Sequence, residues 1–302
     1  MENNNLENYP ELESQDLEDH LILKGECFKV EFGKKTGMIE TLQYNGKDII
    51  TKSLKPNFWR VPIDNDIGYV DEDIEDFERI SSIDYSWKNT IEKSKIVEFN
   101  YEDLSLSIKK ISVRFDTINS ERGQEVNYLV YGNGKITITN KFIPSKQMIR
   151  FGMQMEMTGD YNNITWYGRG PHETMEDRKT GAAIGIYSCL TKDLVHNYVR
   201  PQENGNRTDV RWCSLTNENN MGILITDVGG RYLNISAWPY TMEDLEKATH
   251  IHELPVRKNI TLNIDYKQKG VGGDLPGLPS VHKKYELKKD EMYSYSFSIE
   301  PI

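Results

Sequence analysis

Residues 94–144 read SKIVEFNYEDLSLSIKKISVRFDTINSERGQEVNYLVYGNGKITITNKFIP. Four runs within this stretch, Lys95 to Phe99, Leu104 to Arg114, Glu125 to Tyr131 and Lys135 to Ile143, are rich in β-branched and aromatic residues, and Gly132-Asn133-Gly134 parts the last two. Short β-prone runs with turn signals about every ten residues predict an all-β sandwich or barrel. Strand and helix patterns do not alternate, so neither a parallel nucleotide-binding sheet nor a (β/α)8 barrel is supported.

The same reading extends to both sides. Towards the N-terminus, Phe28, Val30 and Phe32 alternate with Lys29 and Glu31, the period of a half-buried strand. After a turn at Lys35-Thr36-Gly37, Met38 to Tyr44 and Asp48 to Thr51 flank Asn45-Gly46, a dipeptide suited to the positive φ angles of a tight hairpin. Before this meander, residues 1–19 hold seven carboxylates and no lysine or arginine, and are expected to form a disordered acidic tail. Towards the C-terminus, Met221 to Asp227, Tyr232 to Ala237, Asn259 to Lys267 and Tyr293 to Ile299 read as strands and Met242 to Ala248 as a short helix, with another possible at Asp71 to Arg79. Residues 269–279 form a Gly/Pro loop. One domain over residues 20–302 is expected.

Composition narrows the function. The chain has 302 residues and a formal charge of −10, against the basic footprint that nucleic acids and anionic membranes require. No run is apolar and long enough to span a bilayer, and the N-terminus lacks the basic and apolar regions of a secretory signal, so a cytoplasmic location is expected. Cys27, Cys189 and Cys213 show no paired spacing and read as reduced and structural.

Several segments carry candidate chemistry. Asp64-Asn65-Asp66 invites calcium, but other ligands of a calcium loop are missing and an Asx-turn network is the alternative. His250 and His252 would share one face of a strand, as zinc ligands or as ordinary hydrogen-bonded histidines. Gly168-Arg169-Gly170 is followed by proline rather than a helix, and is no phosphate loop. Residues 166–212, WYGRGPHETMEDRKTGAAIGIYSCLTKDLVHNYVRPQENGNRTDVRW, gather aromatic rings, guanidinium groups and carboxylates. That mixture suits a polyhydroxylated ligand, whose C–H faces stack while its hydroxyls take forked polar partners. The plainer reading is a corner at Gly170-Pro171, a turn at Asn204-Gly205 and a solvated ion network.

Four segments, FWRVPIDNDIG (58–68), WYGRGPHETMEDRKTGAAIGIY (166–187), PQENGNRTDVRW (201–212) and GVGGD (270–274), closely resemble the C-terminal domain of glycoside hydrolase family 2 β-galactosidases, a separate small chain in some bacterial enzymes. The resemblance covers about residues 20–302 and implies a galactose-mutarotase-like β-supersandwich. It also implies carbohydrate binding and a partner, either a large chain or upstream domains bearing a (β/α)8 barrel. Retaining glycosidases use two glutamates about 5 to 5.5 Å apart. In this family both lie on the barrel, so no catalytic residue, metal or cofactor is expected on this chain, and magnesium and sodium are expected on the partner. Residues implied to bind substrate or complete the active site are Trp59, Arg60, Asp64, Asn65, Asp66, Gly68, Arg169, His172, Glu173, Glu203, Asn204, Arg207, Gly273, Asp274 and Gly277. Gly68 would be the hinge of a closing loop. Better-known relatives carry a tryptophan where Gly277 is nearest, so the resemblance leaves the substrate open between lactose and another β-glycoside. Two other readings remain: a carbohydrate-binding module, and an aldose epimerase with His172 and a glutamate as acid and base.

Overall fold

In a computed structural model, which describes residues 9–67, 83–273 and 281–302, the stretch that opens the sequence reading becomes four antiparallel strands: Lys95–Ser105, Ile108–Asp116, Gln124–Tyr131 and Ile136–Phe142. The run from Leu104 to Arg114 straddles a hairpin, with Leu104 ending one strand and Ile108 starting the next. Strict alternation places Ile136, Ile138 and Phe142 inside and Thr137, Thr139 and Lys141 outside. Beyond Ile136–Phe142 the sheet continues through Tyr293–Pro301, Gly222–Asp227, Trp212–Thr216, Asn163–Gly170 and Ala183–Leu190, giving nine strands in all.

The second sheet has ten strands. Its order is Glu13–Asp16, His20–Lys24, Phe28–Gly33, Ile39–Tyr44, Ile50–Asn57, Arg150–Met157, Ile260–Gln268, Leu233–Trp238 and Arg207–Val210, with Lys47–Asp48 paired to the side of Ile39–Tyr44. Asn45 and Gly46 hold the expected hairpin turn with φ of 49° and 73°. The tail expected over 1–19 is corrected in its last part. Glu13–Asp16 pairs with His20–Lys24, and the Leu12 N–H donates to the Leu106 carbonyl at 2.9 Å. All four side chains of that strand face solvent, so its carboxylates keep their hydration while the backbone extends the sheet and Leu12 is buried beside it.

Between the sheets lies one apolar core, to which the ten-stranded sheet contributes Phe151, Met153, Met155 and Met157 and the other Tyr128, Ile138, Phe142 and Phe297. Three buried tyrosines hydrogen-bond across it: Tyr44 to the Gly134 carbonyl at 3.0 Å, Tyr128 to that of Gly37 at 3.3 Å, and Tyr295 to that of Ile264 at 2.9 Å. Burial raises the pKa of all three phenols, which keeps them protonated as donors.

The outer face of the central strands in the ten-stranded sheet is also buried, but it is polar. Asn234 and Ser236 lie opposite Asp265 and Asn263 in register, and Gln154 faces Asn263 from the other side. Asn263 accepts from Gln154 at 2.8 Å and from Asn57 at 3.2 Å, and donates to Ser236 at 3.1 Å. A Cβ at Gly152 would lie 1.8 Å from Asp265 Oδ1, so only glycine leaves room for that carboxylate. Loops roof this polar floor and form the candidate site.

Met242–Lys247 is the expected helix, started by a reciprocal capping box between Thr241 and Asp244. The strand expected for His250 and His252 is corrected: Ile251–Glu253 is a 3-10 turn, capped by Glu253 accepting from the Thr249 and His250 N–H groups. The two imidazoles stack at 5.5 Å, and among the described residues no group of three or more His, Cys, Asp or Glu could hold a metal. The helix expected at Asp71 to Arg79 lies outside the described residues. No helix of the described residues is long and apolar enough to cross a membrane.

Candidate functional site

Arg150 is at the centre of the polar floor and is fully buried. Its Nε donates to Asp265 Oδ2 at 3.0 Å, Nη2 to Glu203 Oε1 at 2.5 Å and Nη1 to the Trp59 carbonyl at 2.8 Å. Glu203 also accepts from the Val61 N–H and the Gln268 amide, each at 3.2 Å. One cation thus faces two buried carboxylates. Burial opposes the arginine charge, but the two carboxylates outweigh it and raise its pKa. Burial, only partly offset by Arg150, raises the Glu203 carboxyl and pushes Asp265 up to about 7, with Glu203 adding repulsion.

This cluster anchors the loop running from Phe58 to Ile67. A second buried pair closes the loop: Arg60 Nη2 holds both Asp66 oxygens at 2.9 Å, while Nη1 reaches the Lys269 carbonyl. Asp66 also accepts from the Ile63 N–H at 3.2 Å, and the short helix Asp64–Ile67 follows. Asn65 donates to the Val271 carbonyl at 2.8 Å, joining this loop to the glycine-rich one. Asp177 fixes the latter by accepting from the Val271 and Gly272 N–H groups at 3.0 and 2.7 Å. The oxygens of Asp64 and Asp66 do not converge on a cation, because Asp66 is bound inwards by Arg60 while Asp64 points to solvent beside Gln202.

Between the two loops opens a cleft of about 390 Å³, lined by Asp64, Asn65, Gln202, Glu203, Gly272 and Gly273, with Ile63, Met175 and Val271 as its apolar wall and Arg178 and Tyr198 on the far side. The Asp64 side chain, 67% exposed, is its solvent-facing carboxylate, paired with Arg200 at 3.7 Å and accepting from the Gln202 amide at 3.0 Å. Glu173, beside Arg178 and Tyr198, is fully engaged. It accepts from Arg178, from the Tyr198 hydroxyl at 2.6 Å and from the Gly205 N–H at 2.6 Å. Gly205 adopts φ of 73°, the conformation that turns this N–H towards Glu173.

The sequence candidates therefore divide. Asp64, Asn65, Glu203 and Gly273 meet in the cleft. His172, Glu173 and Arg207 line a separate cavity of about 310 Å³. Trp59 is turned away, its indole donating to Glu246 at 2.6 Å. Arg169 braces Asp209 and the Lys179 and Ala182 carbonyls, and Asn204 is buried against Tyr240 and the His196 N–H. These three are scaffold, as are Arg60 and Asp66, because their polar atoms are spent inside the protein. Gly68, Asp274 and Gly277 lie outside the described residues. Arg150 and Asp265 were missed, although the 2-residue period of Phe151, Met153, Met155 and Met157 marks the strand that carries Arg150. Gln202 and Tyr198 were within reach, since both fall in the segment already singled out for its polar and aromatic mixture.

The solved structure of galactose 1-epimerase from Lactobacillus acidophilus NCFM matches with a TM-score of 0.50 at 9% identity, over 96% of this chain and 98% of that one. The fold is a galactose-mutarotase-like β-sandwich. A family model described as beta galactosidase small chain matches residues 24–299, and the chain belongs to that family. Similar relatives include a β-galactosidase from Priestia megaterium, 33% identical over 97% of this chain, and one from Halalkalibacterium halodurans, 31% identical over 93%. The chain spans only 28% and 27% of those two proteins.

Proposed function

We propose that the chain is the C-terminal or small-chain portion of a retaining family 2 β-galactosidase, in which it binds carbohydrate and completes and gates an active site whose (β/α)8 barrel lies on a partner or on upstream domains. The observation that carries this reading is the state of the two glutamates. A retaining glycosidase needs one carboxyl free to attack and another free to exchange a proton. Glu203 is held by Arg150, Gln268 and the Val61 N–H, and Glu173 by Arg178, Tyr198 and the Gly205 N–H. Neither is available for that chemistry. The catalytic pair, with magnesium and sodium, belongs in this reading on the barrel.

The cleft offers groups suited to a sugar. Asp64 offers hydroxyl acceptors, Gln202 orients it through an amide contact at 3.0 Å, and the Gly272-Gly273 backbone permits close approach by a sugar ring. Glu173 tied down in this way also removes the base that an epimerase would need next to His172. Sedimentation of the chain with its large partner tests the assembly. A complex burying on the order of 1,200 Å² or more should form, and two independent boundaries at micromolar concentration would contradict it.

A further inference from the structure

The second cavity has a feature that neither the sugar cleft nor the assembly uses. Arg207 is only 4% exposed, yet among the described residues no carboxylate forms an ion pair with it, Glu173 acting only through space. Nη1 donates to the Gly205 and Asn206 carbonyls at 3.0 and 3.3 Å, Nε has no hydrogen-bond partner, and the guanidinium lies 5.2 Å from the centre of the Trp166 ring. The ring is held from behind by its indole N–H donating to the Arg169 carbonyl at 3.0 Å. Arg207 and Trp166 form the inner wall of a cavity of about 310 Å³ whose mouth carries His172, His196 and Ser188. Two carboxylates border it. Glu173 is consumed by Arg178, Tyr198 and Gly205, and Asp193 is exposed at the mouth.

A buried cation whose nearest carboxylate, Glu173, attracts it only through space and is bound to other donors is costly unless something else pairs with it. We infer that this cavity is a binding site for a compact oxyanion, a carboxylate or phosphate group, which pairs with Arg207 while the imidazoles of His172 and His196 face its outer side. Burial, offset only in part by attraction from the Cys189 and Glu173 side chains, brings the Arg207 pKa down to about 10, the direction that a bound anion would reverse. The aromatic and proline walls, Tyr187 and Pro171, leave room for an organic body behind the anionic group.

Thermal melting of the 302-residue chain in inorganic phosphate and in sodium chloride of equal ionic strength tests the site. Phosphate should raise Tm saturably, by about 2 to 4 °C at ten times the dissociation constant. Acetate and galacturonate against phosphate and galactose 6-phosphate tell which oxyanion is preferred, and neutral galactose controls for sugar binding without charge. Arg207→Met keeps a side chain over Trp166 but removes the guanidinium, and should melt alike in both salts. Should that variant not fold, crystals of the unaltered chain soaked in phosphate give a second readout, with density expected within hydrogen-bond reach of Arg207. The inference is overturned if the unaltered chain shows no saturable shift, if galactose shifts it as much as the anions do, if Arg207→Met retains the shift, or if the phosphate binds elsewhere.

Discussion

Two buried arginines, Arg150 and Arg207, have opposite surroundings. Arg150 is ion-paired with Glu203 and Asp265, two carboxylates for one cation, while among the described residues Arg207 is ion-paired with none. The first arrangement is scaffold: every donor is satisfied, and the ligands of Arg150 include the backbone on which the cleft loop is built. The second is incomplete within the chain itself. A charged residue at a candidate site is thus informative only once its partners are known.

The difference should show most in stability. Arg150→Met leaves two carboxylates buried without a cation and is expected to cost about 3–5 kcal/mol in urea unfolding. Arg207→Met leaves no stranded charge and loses a ring contact and backbone hydrogen bonds, for about 1–2 kcal/mol. Equal losses in the two variants would break the contrast.

The next effect is in pH dependence. The Asp265 carboxyl has its folded-state pKa raised to about 7 from 3.8. The folded state therefore holds this proton more tightly than the unfolded state does, and its contribution to stability is full below about pH 4 and is lost as pH rises through about 7. Asp265→Asn should flatten that decline, so its stability relative to the unaltered chain should improve from pH 4 to pH 7.5. Urea midpoints at several pH values measure this, and parallel curves would place the titration elsewhere.

Smallest is the joint between the two cleft loops. Asn65→Ala removes the bond to the Val271 carbonyl and should cost about 1 kcal/mol in stability. In an enzyme assembled as proposed it should raise KM more than it lowers kcat, since it moves the rim of the cleft rather than the reacting groups. Steady-state kinetics on a nitrophenyl β-galactoside separate the two parameters.

The sandwich was legible because its signal is local. Alternation in Ile136–Phe142 or Phe28–Gly33 and the Asn45-Gly46 turn need no distant partner to be read. The strand Asn163–Gly170 and the edge strand Ala183–Leu190 were hidden by the polar and glycine-rich character that drew attention to the segment as a site. Glu13–Asp16 was hidden by its charge, since an edge strand with every side chain in water has the composition of a tail. The site was only half legible. Motifs located the loops that line the cleft, but Arg150 and Asp265 lie 115 positions apart, and nothing along the chain shows that they meet or that Arg150 holds Glu203. The polar residues Thr261, Asn263 and Asp265 look like a solvated strand face, and only the loops folded over them make it a floor.

The central claim, that this chain contributes a site but not the reacting carboxylates, is tested most directly by mixing. Nitrophenyl β-galactoside turnover is measured for the purified chain, for the proposed barrel-bearing portion and for both together. The account predicts no turnover by the chain alone, full turnover by the mixture, and no requirement for Glu173 or Glu203 as proton donor or nucleophile. Turnover by the chain alone that disappears in a folded Glu173→Gln or Glu203→Gln variant would contradict it.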